Sequence, residues 1–412
     1  MDTYHSPLDL VRRRLSEGPV ACARPDRLAV AARWFQDNFS GETLYAVKAN
    51  PSPWVIDGLY AAGIRFFDVA SLDEVRLVRE RCPGATAAFL HPVKSRDAIR
   101  KAYFDYNVRI FVLDCEAELD KILTETEHAK DLTLIVRIAV SNAGSALPLA
   151  GKFGASAFDA PDLILKARGV AAELGISFHV GSQCMDPSAY RAAMMEASRL
   201  IARAGVTVDI VDVGGGFPSI YPGLMPPPLE DYVSAIEAAF EEMMVLENAD
   251  LWCEPGRALC AESTSILTRV ELRKGDALYL NDGSYGCLFD MAHAKWPFPM
   301  RVWRETGEVG GDMAPFRLFG PTCDSMDSMP GPYDLPADIR EGDVIEIGML
   351  GAYGTAMATR FNGFGDVETA AVRDFPWQSL YDGKRKPQHV QHSASVLAFP
   401  RAKRRKQRMR RR

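Results

Sequence analysis

The chain has 412 residues, 47% of them hydrophobic and 25% charged, with 48 Lys+Arg against 54 Asp+Glu for a formal net charge of −6. That is enough apolar material for a large core and two domains, and it excludes a disordered chain or a disulfide-stapled miniprotein. The net charge hides a split: residues 401–412 hold nine Lys and Arg and no acid, so residues 1–400 carry 39 bases against 54 acids, or −15.

In chain order, Met1-Asp2-Thr3-Tyr4-His5 has neither the basic start nor the apolar run of a signal peptide. No later stretch approaches the ~18 apolar residues of a membrane span, so no membrane association is expected. Residues 1–24 are read as a segment that packs with a later β domain. From residue 44 to residue 254, short β-branched or aromatic runs alternate with helical stretches. The runs begin at Leu44 (LYAVK), Ile64 (IRFFDVA), Ala85 (ATAAFL), Val108 (VRIFVLD), Leu132 (LTLIVRIAV), Ile176 (ISFHVGS), Val206 (VTVDIVDV) and Leu251 (LWCEP). Between them, DLILKARGVAAELG (162–175) and AYRAAMMEASRLIARAG (189–205) have helical periodicity and end on Gly caps. Ser71-Leu72-Asp73-Glu74 has the spacing of a helix capping box. Eight strand candidates over this length predict a (β/α)₈ barrel at residues 25–262. An open doubly wound sheet satisfies the same count, and the length favours the barrel.

After Arg257 the texture changes. Strand-like runs at 266–282, 316–321 and 343–353 are separated by Gly- and Pro-rich turns, which predicts a mainly β domain over 263–385. Residues 386–412 form a basic tail. Its cluster suffices for salt-dependent contact with nucleic acid or an anionic surface, a minor reading because no aromatics are interleaved for base stacking. His389 and His392 have metal-like spacing but no acids nearby, so no metal is expected. Eight scattered cysteines without a CxxC pair favour thiols in a reducing cytoplasm.

Chemistry gathers at the ends of the strand candidates. Strand one ends in Lys48, strand two has Asp68, strand five Arg137, and strand six His179 with Ser182. The seventh runs into Gly214-Gly215-Gly216 and the eighth into Glu254-Pro255-Gly256-Arg257. Barrel active sites lie at this C-terminal face, and a phosphate is often held after strands seven and eight. A triple-Gly loop lets backbone N–H groups approach an anion, and Arg257 adds a forked pair of donors. Lys48, set among apolar neighbours, is a candidate Schiff-base residue whose pKa desolvation is expected to lower.

YAVKAN, FDVAS, SFHVGSQ, VDVGGGFP, CEPGR, NDGSYG, FGPTCDSMD and GAYG, in that order, resemble the fold-type III pyridoxal-phosphate decarboxylases, in their ornithine/lysine decarboxylase branch, over roughly residues 25–365. The resemblance implies an alanine-racemase-like pairing of barrel and β domain, with pyridoxal 5′-phosphate as cofactor. Lys48 would hold the cofactor covalently, His179 would stack on its ring, and Glu254 would pair with the ring nitrogen. Asp68, Ser182, Gly214, Gly215, Gly216, Gly256, Arg257 and Tyr353 would complete the cofactor site, with Arg137 close to the ring. In this family the equivalents of Cys323 and Asp324 reach the site from the other subunit of a homodimer. Cys323 would protonate the α-carbon, while Asp324, Asp290 and Tyr285 would meet the substrate. Cys323-Asp324, rather than Cys-Glu, implies a distal amine. The expected reaction is therefore L-ornithine to putrescine and CO₂, with L-lysine accepted. Other cationic amino acids, racemisation, or a non-catalytic homologue are the alternatives.

Overall fold

The computed structural model describes residues 1–382 except 15, 244, 246–248, 295, 376 and 377. His389, His392 and the basic run 401–412 lie outside the described residues.

Eight strands close into a parallel barrel: β1 (Glu42–Ala46), β2 (Phe66–Val69), β3 (Thr86–Phe89), β4 (Ile110–Leu113), β5 (Thr133–Arg137), β6 (Glu173–Ser177), β7 (Ile210–Asp212) and β8 (Asp250–Cys253). Closure comes from Trp252 and Cys253 of β8 registering with Glu42 and Thr43 of β1. Alternation along each strand makes two apolar layers, because successive side chains leave opposite faces. Leu44, Ala88, Ile110, Val112, Ile135, Ile210 and Trp252 pack together with Phe66 inside the barrel. Their neighbours Tyr45, Phe89, Phe111, Val136, Val211 and Cys253 join the cluster formed with the surrounding helices. Both faces are thereby dry, which explains why the strands read as continuous apolar runs.

One expectation fails. The helix placed over 162–175 covers only Ala160–Arg168, and Glu173–Ser177 is β6. The backbone leaves the helix at Gly169, and Ala172 N–H bonds back to Leu132 O at 2.9 Å. Gly175 is not a cap but part of the barrel's inner row. A Cβ there would stand 2.9 Å from Ile135 Cγ1 and 3.2 Å from Ile210 Cβ. The helix expected at 189–205 is present as Ser188–Ala204 and ends on left-handed Gly205. Ser71 caps the helix Leu72–Arg81 as its spacing predicts, accepting from Glu74 N–H.

The second unit is a mainly β domain built on the long strand Thr264–Lys274, which pairs with Val20–Ala23, Val344–Ile347 and Ala277–Leu280. The run 266–282 is a hairpin rather than one strand, turning at Gly275 (φ +61°). Two N-terminal strands belong to this domain's sheet: Thr3–Tyr4 and Val20–Ala23 both pair with Glu368–Val372. Two buried arginines join the chain's ends to the barrel side. Arg24 pairs with Glu346 and Asp374, and Arg27 with Glu262 and Asp382. Among the described residues no helix is long and apolar enough to cross a membrane.

Candidate active site

The parity that fills the barrel also aims the functional side chains. Counting by two along the inner face, Leu44 and Ala46 lead to Lys48, Phe66 to Asp68, Ile135 to Arg137, Ser177 to His179, Ile210 to Asp212, and Trp252 to Glu254. Inner positions are apolar in the barrel's middle and become charged at its C-terminal mouth. Lys48 itself sits on a single 3₁₀ turn, Val47–Ala49, just past β1 rather than in the strand.

At the mouth Lys48 Nζ donates to Asp68 Oδ2 at 2.6 Å; 42% of the lysine side chain is accessible, against 1% for the aspartate. The lysine thus opens into the cleft while its counter-ion stays buried. Burial alone would lower the amine's pKa, but Asp68, and behind it Glu254, outweigh burial and hold it above the ordinary lysine value. This corrects the expectation that desolvation frees the amine: the neighbouring carboxylates reverse the sign. Glu74 serves the helix start twice, its N–H donating to Ser71 Oγ. Its Oε2 accepts from Ala70 N–H at 2.6 Å, and burial with the nearby Asp68 charge lifts its pKa to about 6.

Asp212 and Glu254 form a second acidic pair. Burial, then each other and Asp68, push the Glu254 carboxyl well above its usual range, and burial raises Asp212 as well. Asp212 Oδ2 and Asp68 Oδ1 are buried without a hydrogen-bond partner. Two such acids favour sharing one proton or facing a cation. His179 is half-buried beside two bases. Burial first, then Arg137 and Lys48, depress its pKa to about 3, so the ring is neutral. Its Nδ1 accepts from Gly181 N–H at 3.0 Å, which assigns the ring proton to Nε2.

The other end of the cleft is built for an anion. Gly214 (φ +69°) and Gly216 (φ +108°) have no room for a side chain: a Cβ would meet Phe178 O at 2.0 Å and Gly181 O at 2.6 Å. Buried Arg257 donates to Tyr221 Oη at 2.7 Å and to both Asp290 oxygens at 2.6 and 3.3 Å, yet its Nε has no partner. Tyr353 comes from the β domain. Its left-handed backbone (φ +57°) donates N–H to Ala49 O at 2.8 Å, and its ring lies 5.0 Å from the Arg257 guanidinium. Ser182, first residue of the short strand Ser182–Cys184 beyond β6, and Gly256, just beyond β8, are also buried. Arg137 lies over the Phe153 ring at 5.6 Å.

These residues fit pyridoxal 5′-phosphate group by group. An amine suits its aldehyde, an under-partnered acidic pair suits a protonated ring nitrogen, and a glycine loop with a spare arginine N–H suits the phosphate.

The remaining expected residues are gathered elsewhere, on the β domain's rim. Tyr285 Oη donates to Asp324 Oδ2 at 2.7 Å, and Met326 N–H to Asp324 Oδ1 at 2.9 Å. Cys323 is exposed and bonds to Asn362. Among the described residues no hydrogen bond or ion pair joins this rim cluster to the Lys48 cluster. Motif reading missed Asp212 and Tyr221; parity along β7 is the signal that would have found Asp212.

Comparison with known proteins agrees with this geometry. The family described as "Pyridoxal-dependent decarboxylase, pyridoxal binding domain" matches residues 26–261. The lysine/ornithine decarboxylase of Selenomonas ruminantium is 33% identical over 341 residues, covering 81% of this chain and 84% of that protein. The ornithine decarboxylase of Caenorhabditis elegans is 34% identical over 370 residues, covering 83% and 84%. Antizyme inhibitor 2 of Xenopus laevis is 30% identical over 347 residues, covering 78% and 73%. Among solved structures, Vibrio vulnificus lysine/ornithine decarboxylase complexed with putrescine superposes with a TM-score of 0.76 at 28% identity, covering 90% of this chain and all of that one (100%). The arginine decarboxylase of Paramecium bursaria Chlorella virus bound to agmatine gives a TM-score of 0.77 at 25% identity, covering 87% and 98%. On these grounds the chain belongs to the fold-type III pyridoxal-phosphate-dependent decarboxylases and is an enzyme of that class.

Proposed function

We propose that the enzyme decarboxylates L-ornithine to putrescine, with L-lysine as a slower substrate, as a cytoplasmic homodimer with shared active sites. The observation that carries this reading is the rim pair Cys323-Asp324. Each Asp324 oxygen accepts one hydrogen bond and keeps a lone pair open, which suits a distal ammonium. Each Asp290 oxygen likewise keeps a lone pair beyond its bond to Arg257. The two acids would bracket the distal amine once Cys323 and Asp324 of the partner subunit reach the barrel mouth. The exposure of Cys323 on a single chain is in keeping with that arrangement.

When bound, pyridoxal 5′-phosphate supplies a sink for the electron pair left on the α-carbon as CO₂ departs. The chain's own residues do the rest. Lys48 would hold the cofactor at its aldehyde end, with Asp68 keeping a proton at the amine. Glu254, backed by Asp212, would pair with a protonated ring nitrogen. Neutral His179 would face the ring without placing a competing positive charge there. The 214–216 loop, Ser182, Gly256, Arg257 and Tyr353 would hold the phosphate, with Arg137 near the ring. Cys323 Sγ delivers the proton to the α-carbon, where a weakly acidic thiol suits a carbon acid.

The test is ornithine, lysine, arginine and diaminopimelate assayed side by side with added pyridoxal phosphate. Ornithine should give the highest kcat/KM and lysine the next. Diaminopimelate should be rejected, because two carboxylates would face its distal carboxylate. Preference for arginine would replace the substrate assignment. CO₂ release from none of them, with cofactor bound, would favour a non-catalytic role. Product chirality separates decarboxylation from racemisation.

A further inference from the structure

We infer that Asn362 is the positioning residue for the Cys323 thiol, fixing both its proton and its rotamer; this rests on the reading of Cys323 as the proton donor. Asn362 Oδ1 lies 3.1 Å from Cys323 N and 3.1 Å from Cys323 Sγ. A backbone N–H only donates, so the group facing it is the amide oxygen and not the amide nitrogen. The same oxygen then meets the sulfur, and an oxygen that only accepts requires the thiol to be the donor. Cys323 is held as S–H, with its side chain drawn toward the 361–363 turn, until substrate competes for the proton.

The backbone explains why asparagine stands here. Asn362 has φ +54°, the left-handed region that few residues other than Gly, Asn and Asp adopt at low cost. Of those, only Asn and Asp offer an oxygen in reach. The neighbouring residues hold the second half of the rim: Thr359 N–H and Oγ1 donate to Tyr285 O at 2.8 and 3.0 Å, and the Phe361 ring lies 5.1 Å from that of Tyr285. Tyr285 in turn donates to Asp324. One short segment, 359–362, thus spaces the proton donor from the ammonium-binding carboxylate. From below, buried Asp327 locks the Cys323 loop: it accepts from Ser284 N–H at 2.7 Å and from Thr322 N–H at 3.0 Å.

The chemical consequence is a choice of product. As CO₂ leaves, the broken C–C bond's electron pair stays on the α-carbon. The Cys323 S–H bond breaks, its proton forms the new C–H bond, and solvent reprotonates the thiolate, giving the diamine. A proton taken instead at the cofactor's aldehyde carbon leads, after hydrolysis, to an amino aldehyde and leaves the nitrogen on the cofactor. A thiol without its Asn362 anchor should lose that choice more often.

The experiment compares holoenzyme carrying Asn362→Gly, which keeps the left-handed backbone and removes the oxygen, with Asn362→Asp, which keeps an acceptor. Cys323→Ala is the reference. With ornithine, Asn362→Gly should raise the aldehyde share of turnovers roughly tenfold while KM changes less than about twofold, and Asn362→Asp should recover most of the loss. Without substrate, the infrared S–H stretch, identified by difference against Cys323→Ala, should move to the frequency of an unbonded thiol in Asn362→Gly. An unmoved band, or an unchanged product ratio where Cys323→Ala diverts turnover, would overturn the assignment of Asn362. An unchanged ratio in Cys323→Ala would instead overturn the donor reading beneath it. Both readouts are ratios or frequencies, so loss of folded protein alone moves neither.

Discussion

The barrel mouth and the β-domain rim handle charge in opposite ways. At the mouth, neighbouring charges set one another's protonation: against burial, Asp68 and Glu254 raise Lys48, and burial, then Asp212 and Asp68, raise Glu254. On the rim, exposed Cys323 and half-buried Asp324 are shaped by a few local hydrogen bonds. Backbone Met326 N–H first, then Tyr285, hold the Asp324 carboxyl below its ordinary range. On the proposed reading, the mouth would hold the cofactor and the rim would supply the proton donor and the ammonium-binding carboxylate. On that reading a second copy would bring the two together, since among the described residues no hydrogen bond or ion pair links them.

Four substitutions sharpen that contrast. Lys48→Ala should cost on the order of 10³-fold in diamine formation, about 4 kcal/mol, and should abolish the visible absorbance of the lysine-linked cofactor. Glu254→Gln should cost about 10²-fold in kcat, because an amide cannot hold the ring nitrogen charged. Asp324→Asn should raise KM for ornithine roughly tenfold and leave cofactor affinity alone. Asp290→Asn should weaken both, since that carboxylate also holds Arg257; equilibrium cofactor titration beside the kinetics separates the two.

The smallest expected effect concerns cofactor-free protein. Asp212 and Glu254 have carboxyl pKa values raised on folding, so the folded state binds more protons than the unfolded state above the ordinary carboxylate range. Stability must then fall as pH rises through that range and beyond. Asp212→Asn should flatten this slope and raise the neutral-pH Tm by roughly 2–4 °C. A rim substitution such as Asp324→Asn should leave the slope unchanged. Thermal melts of the cofactor-free proteins across pH 5 to about 8 check the sign.

Legibility in the sequence follows the same divide. All eight barrel strands were visible as apolar runs, because both their faces are dry. The mouth residues were visible because they end those runs. Asp212 was passed over since VDVGGGFP draws attention to its glycines, although the two-residue step from Ile210 points straight at it. The segment 162–175 misled because Gly175 reads as a cap in one dimension and as a close strand contact in three. The sign of the Lys48 shift needed Asp68, which is 20 residues away in sequence and 2.6 Å away in space. Asn362 lies 39 residues from Cys323, and no local pattern links them. Burial and periodicity are written locally, whereas hydrogen-bond partners across loops are not.

The most direct test of the account mixes two proteins that each form little diamine. Lys48→Ala lacks the mouth and Cys323→Ala lacks the rim donor. If each site takes its mouth from one copy and its rim from the other, half of the re-equilibrated dimers are mixed and each has one intact site. Diamine formation should then recover to about a quarter of the wild-type rate. A mixture no more active than its two parents would contradict the shared site.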